Sequence, residues 1–229
     1  MIGIIGAMSL EIEGLRALMT EKTEKVVSGI NYVSGILAGQ SVVTAVSGIG
    51  KVFAAICAEA MILEYKVDVI INTGVAGTLT DRLGIGDIAV AKNVVQHDMD
   101  TSPLGDPKGL ISGINIIYIK ADEAVSEGLS RAARALDINT VVGTVASGDQ
   151  FIASSEKKKE ITDSFNAVAC EMEGAAIGHV CFVNKKPFAV LRAISDSADG
   201  SAELDYPTFC KKAAENYVRV VSAYLSSLG

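Results

Sequence analysis

The sequence lacks an excess of basic residues: 20 Lys and Arg stand against 27 Asp and Glu, a formal charge of -7. A nucleic-acid surface needs a basic stripe, so no nucleic acid is expected as a partner. Paired-cysteine spacing is also missing. Cys57, Cys170, Cys181 and Cys210 are scattered without a CxxC, which reads as reduced, buried thiols and excludes a disulfide framework or a zinc site. No second histidine lies near His97 in His97-Asp98-Met99-Asp100, and transition metals want several such ligands at once, so no metal is expected. Gly3 and Gly6 do not form GxGxxG, so a dinucleotide is not implied, and no other cofactor is expected.

The first residues carry no basic segment and no cleavage-site pattern after a long apolar run, so a cytoplasmic location is expected. Residues 26–50 have no charge at all, and a membrane helix needs only about 20 apolar residues. This stretch, however, holds five glycines and four serines at turn-like intervals. It reads as consecutive strands and turns, and no membrane association is expected.

What is present is apolar matter in short runs: 49% of the 229 residues are hydrophobic and the mean hydropathy is +0.37. That suffices for one domain spanning 1–229 with a well-buried core. Strand-length runs at 1–7, 67–73, 86–95, 114–119, 140–147, 167–170 and 188–194 alternate with helix-period segments. The latter include 51–65, 122–136, 157–164, 173–183 and 207–228. A helix after residue 9 is expected, with Ser9 as its cap and Ile12, Leu15, Leu18 and Met19 on one face. No long linker or repeat interrupts the alternation. The expected fold is a three-layer α/β/α sandwich around a central, mixed, twisted sheet.

In such sheets ligands bind beyond the carboxyl ends of strands. Ionisable groups follow three apolar runs: Glu11 and Glu13 after the first, Glu171 and Glu173 after the run ending at Cys170, and Arg192, Asp196 and Asp199 at the third. A fourth strand end, Asn72-Thr73-Gly74-Val75-Ala76-Gly77, is glycine-rich and lets backbone approach a ligand. Each has a structural reading, since acids at helix starts complement the macrodipole. Together they bring carboxylates and an arginine toward one cleft, where neighbouring carboxylates can be driven into different protonation states. Cleaving a glycosidic bond needs such an acid and base.

The run Gly3-Ile4-Ile5-Gly6-Ala7-Met8 followed by Glu11 resembles the start of bacterial methylthioadenosine/adenosylhomocysteine nucleosidases. Asn72-Thr73-Gly74-Val75-Ala76-Gly77, Ser147-Gly148-Asp149-Gln150-Phe151-Ile152, Glu171-Met172-Glu173 and Arg192-Ala193-Ile194-Ser195-Asp196 match that family in order and spacing. The resemblance covers nearly the whole chain. It implies hydrolysis of the N-glycosidic bond of an adenine nucleoside: methylthioadenosine, adenosylhomocysteine or 5′-deoxyadenosine.

It also implies roles. Asp196 would act as general acid at N-7 of adenine, Glu11 as general base for water, Glu173 as partner of the ribose hydroxyls and Arg192 as holder of water and carboxylates. Met172 would pack on the ribose, Phe151 would stack on adenine, and the backbone of Ile152 would read its edge. Tyr206 would cover the base or ribose, with Met8, Gly77 and Ser195 also among the binding residues. Ile49 and, from a neighbouring subunit of a homodimer, Leu104 would line the 5′ pocket. Family members commonly carry serine where this chain has Val75, so one hydroxyl near the ribose or water is missing. Two other functions remain open on the residues: a phosphorylase of the same superfamily and a nucleoside-binding protein without turnover. The first needs clustered phosphate donors, where this chain has Asn72-Thr73. The second would have lost Glu11 or Asp196.

Overall fold

The computed structural model describes residues 1–198 and 206–229, with the side chains at 206–208 and 210–212 excepted. The first apolar run forms β1 (Ile2–Gly6), which lies parallel to both β4 (Gln40–Val46) and β5 (Val69–Thr78). The uncharged stretch supplies β3 (Ile30–Leu37) and β4, which form an antiparallel pair. Outside them sits β2 (Thr20–Val27), Thr-Glu-Lys-Thr-Glu-Lys-Val-Val, exposed along almost its whole length. Beyond β5 come β6 (Ile88–Gln96), the two-residue β7 (Ile119–Lys120), β8 (Thr140–Ser147), β9 (Ala167–Glu171) and β10 (Phe188–Asp196).

One half of the sheet is open, in the order β2-β3-β4-β1-β5. The other half closes into a ring: β5 pairs with β10, β10 with β6, β6 with β8, β8 with β9, and β9 returns to β5. The edge of β5 is therefore shared. β1 pairs with it as far as Asn72 and β9 joins only at Gly77, which leaves a gap between the two. That gap positions the site.

Helices cover both faces. On one side α1 (Ser9–Leu18), α3 (Glu123–Ala135) and α6 (Tyr206–Ser226) bury Ile12, Leu15, Leu129, Tyr217 and Val221 against Ile4, Ile71 and Leu191. On the other, α2 (Lys51–Tyr65) and α5 (Gly174–Val183) bury Cys57, Met61, Ile177 and Cys181 against Ile5, Ile70 and Val190. Each large aliphatic side chain so buried contributes about 1.5–3 kcal/mol. The short α4 (Ser155–Phe165) closes a smaller cluster with Ile161 and Phe165. The expected three-layer α/β/α sandwich with its mixed sheet is the observed fold.

Three local expectations change. Met8, not Ser9, is the N-cap of α1, and Glu11 is its third residue. Leu18 leaves the apolar face and is 55% exposed, while Ile12, Leu15 and Met19 are buried. The strand expected at 114–119 reduces to β7 and an isolated Ile111–Ile116 bridge. Among the described residues, no helix is long and apolar enough to cross a membrane.

Candidate active site

In the gap on β5 the backbone N–H of Val75 has no strand partner and donates to Glu11 Oε1 at 3.0 Å. Glu11 Oε2 accepts from the N–H groups of Ala7 at 2.6 Å and Met8 at 3.0 Å, folding back over the start of α1. The carboxylate is thus aimed by three backbone donors from two elements, and it is 1% exposed. The structural reading of Glu11, an acid in the first turn of α1, holds. Gly74 is required beside it, because a Cβ there would collide with both Arg192 Nη1 and Glu11 Oε1.

Asp196 ends β10 opposite Gly77. Ser195 Oγ donates to its Oδ2 at 2.8 Å and the Ala198 N–H to its Oδ1 at 2.9 Å. A Cβ at position 77 would lie 2.7 Å from Asp196 Oδ1, so glycine admits the carboxylate. Val75 and Gly77 are two residues apart on one strand, hence roughly 7 Å apart along it. Glu11 is hydrogen-bonded at the first, and Asp196 lies against the second.

Glu173 is the N-cap residue of α5, but its side chain does not cap that helix. Oε1 accepts the Gly50 N–H at 3.0 Å, and Oε2 lies 3.4 Å from Arg192 Nη2. Burial pushes this carboxyl up to about 7; Arg192 opposes the shift, and the carboxylates of Glu171 and Glu11 add to it. Asp149 accepts the Lys51 N–H at 2.7 Å, so acids from distant segments serve the first amides of α2. The Lys51 ammonium meets Asp98 at 2.6 Å and Asp98 accepts from the Asp149 N–H, tying these loops together.

Arg192 does not line the cleft. It is fully buried behind it, where Nη2 pairs with Glu171 Oε2 and donates to Asn72 Oδ1 at 2.5 Å. Burial works against its charge, but Glu171, Glu173 and Glu11 together outweigh that and raise its pKa. Glu171 also accepts from Ser147 Oγ and from the N–H groups of Glu173 and Gly174. Sequence reasoning placed Glu171 at the right strand end but gave it no role. It is the main counter-ion of Arg192 and the cap of α5.

One cleft gathers most of the expected residues. Met8, Glu11, Ile49, Val75 and Gly77 line one part, and Phe151, Ile152, Met172, Glu173, Ser195 and Asp196 the rest. Ala7, Ala76, Gln150, Cys170 and Glu171 complete its wall. Phe151 is 59% exposed at the mouth, whereas Ile152 is buried. Burial pushes the Cys170 thiol up to about 12, so it is protonated and not a nucleophile at neutral pH. Leu104, 83% exposed on the 3-10 turn Ser102–Leu104, stands outside this chain's own cleft. The side chain of Tyr206, at the start of α6, lies outside the described residues.

Among the described residues no group of three or more His, Cys, Asp or Glu is arranged to hold a metal. His97 is buried against Gly148, and burial lowers its pKa.

The model of the phosphorylase superfamily matches residues 1–226. The 5′-methylthioadenosine/S-adenosylhomocysteine nucleosidase of Staphylococcus aureus (strain JH9) is 39% identical over the whole of both chains. The chain belongs to the 5′-methylthioadenosine/S-adenosylhomocysteine nucleosidase family. A solved nucleosidase of this family from Neisseria meningitidis, in complex with methylthio-immucillin-A, superposes with a TM-score of 0.95 at 37% identity. That match covers 99% of this chain and 98% of the other. The futalosine hydrolase of Helicobacter pylori strain 26695 has a TM-score of 0.94 at 35% identity, covering 99% and 97%. Membership of the nucleosidase family accounts for the in-register motifs at four strand ends, which the fold has now brought to one cleft.

Proposed function

We propose that this chain hydrolyses the N-glycosidic bond of 5′-methylthioadenosine and S-adenosylhomocysteine, releasing adenine and the 5′-thioribose. The observation that carries the reading is the pair of buried carboxylates, Glu11 bonded to β5 at Val75 and Asp196 lying beside Gly77, in one cleft. Asp196 gives its proton to N-7 of adenine as the C1′–N9 bond breaks, so the base leaves neutral. Glu11 takes a proton from water as the new C1′–O bond forms. Glu173, its carboxyl pushed up to about 7 by burial, is suited both to donate to and to accept from the ribose hydroxyls. Phe151 at the mouth offers a ring for adenine, Met172 an apolar surface for ribose, and Ile152 its backbone. Arg192 acts from behind the wall, drawing in Glu171 and Glu173 and offsetting their mutual repulsion; contact with the water is not its role in this arrangement.

Hydrolysis is favoured over phosphorolysis because the cleft carries Glu11, Glu171, Glu173 and Asp196 and is lined by no Lys, Arg or His among the described residues. A phosphate dianion would be repelled there. The assay is methylthioadenosine with and without phosphate. Adenine and methylthioribose in both reactions support the reading; methylthioribose 1-phosphate overturns it. Adenosylhomocysteine, 5′-deoxyadenosine and futalosine belong in the same series, the last because a futalosine hydrolase shares the fold.

Exposed Val52, Phe53, Ile56 and Leu63 give α2 an apolar outer surface next to Ile49. This supports a homodimer in which Leu104 reaches a neighbouring cleft, and a cytoplasmic location fits the absence of a membrane-crossing helix among the described residues. Light scattering at micromolar concentration checks the dimer, and a fully active monomer refutes it.

A further inference from the structure

Away from the cleft, a groove of about 680 Å³ lies between α3 and the strands β6, β7 and β8. It shares no lining residue with the catalytic cleft. Glu123, Glu127, Arg131 and Arg134 recur every three or four residues and so share one face of α3. Lys92 and Lys120 enter from the strands, and Lys120 is engaged by Glu123 at 3.2 Å. The side chains of Lys92, Arg131 and Arg134 are exposed and make no ion pair or hydrogen bond among the described residues. Against these three free cations stands one free acid, Glu127, in a chain whose formal total is -7. Arg134 has a structural explanation in the last turn of the helix. Arg131, a turn earlier, and Lys92, on another element, do not.

The groove also holds an unsatisfied polar group. Ser130 lines it, is 3% exposed, and its buried Oγ has no hydrogen-bond partner. A helical serine ordinarily bonds back to the carbonyl four residues before it. Ser126, one turn earlier, instead donates across to the Ala91 carbonyl at 3.0 Å. Ser130 does neither, and a buried hydroxyl left unpaired costs stability unless something binds it. The third observation is local: the pairing of β6 with β8 shifts register between Ala91 and Asn93, with Lys92 at the irregularity. Such bulges re-aim a side chain out of the strand's alternation.

We propose that this groove is a second ligand site, for a phosphate monoester whose phosphoryl group is held by Lys92, Arg131, Arg134 and the Ser130 hydroxyl. A monoester carries roughly -1.5 to -2 at neutral pH, which matches the surplus of free positive charge. Arginine's planar fork suits phosphate oxygens. Ala121 and Val142, the latter 43% exposed, offer the organic part an apolar wall that inorganic phosphate would not use.

The test is calorimetric titration of the full chain with phenyl phosphate and with inorganic phosphate, each with and without saturating adenine. Phenyl phosphate should bind with a Kd below about 1 mM, more tightly than inorganic phosphate and regardless of adenine. Arg131→Gln/Arg134→Gln should weaken it by about tenfold or more, and Ser130→Ala by less. Methylthioadenosine turnover should be unchanged in both variants. The proposal is overturned if phenyl phosphate gives no binding, if inorganic phosphate binds as tightly, if the arginine pair is indifferent, or if adenine displaces the ligand.

Discussion

Replacing Glu173 by glutamine removes one titrating group from a buried cluster of three carboxylates and one guanidinium. The Gln side chain keeps an acceptor for the Gly50 N–H, now made by Glu173 at 3.0 Å. In the folded protein burial pushes the Glu173 carboxyl up to about 7, against about 4.5 for a solvated glutamate. Between those values the folded state binds the proton that the unfolded state has released. This group's contribution to stability is therefore fully present below about 4.5 and is lost as pH rises through about 7. At about 1.36 kcal/mol per pH unit, the interval amounts to about 3 kcal/mol. For a chain of this size, 1 kcal/mol moves Tm by about 2–4 °C. Measured at equal protein concentration, Tm of Glu173→Gln minus Tm of the parent should rise by about 6–12 °C between pH 5 and pH 8. A difference that stays flat, or shrinks with rising pH, refutes the account of Glu173 as a carboxyl strained by burial and by its acidic neighbours.

Asp196→Asn should lower kcat on methylthioadenosine by about 100-fold or more while KM moves much less, because the carboxamide keeps the shape and loses the acid; near-native turnover would remove Asp196 from that role. Val75→Ser restores one hydroxyl, worth about 0.5–1.5 kcal/mol, so kcat/KM should change by less than about tenfold. A gain of about a thousandfold would mean that the parent chain is built for another substrate. Arg192→Met leaves Glu171 buried without its counter-ion and should destabilise by about 3–5 kcal/mol in urea unfolding. Adding Glu171→Met should recover much of that loss, and a double variant as unstable as the single one contradicts the pairing.

The layers were legible because β1 is an unbroken apolar run and β5 and β10 open with apolar runs, and amphipathic or apolar helices separate them. Thr140–Ser147 appears with the boundaries its pattern implied. Glu11, Glu173 and Asp196 could be found because each lies at or within five residues of the end of a buried strand. The partner of Arg192 could not be found that way. All five residues of β9 are buried, so no alternation distinguishes the Glu171 that turns toward Arg192 from its neighbours. Ring closure was equally hidden, since the pairing of β9 with the end of β5 joins segments about ninety residues apart through only two register positions. β2 escaped because a strand without a buried face leaves no period-two trace.

That strand has a consequence for the molecule in crowded solution. A closed ring has no unpaired margin, so the long exposed margin of this sheet is the outer side of β2. An unpaired margin invites a strand from another molecule and is the usual starting point of aggregation. Here it alternates Glu21-Lys22 with Glu24-Lys25, every one of them exposed, and its pairing with β3 slips between Thr20 and Thr23. A second copy adding in register would bring like charges together and meet an uneven ladder. An apolar chain with a mean hydropathy of +0.37 thus keeps its most charged strand where self-association would otherwise begin.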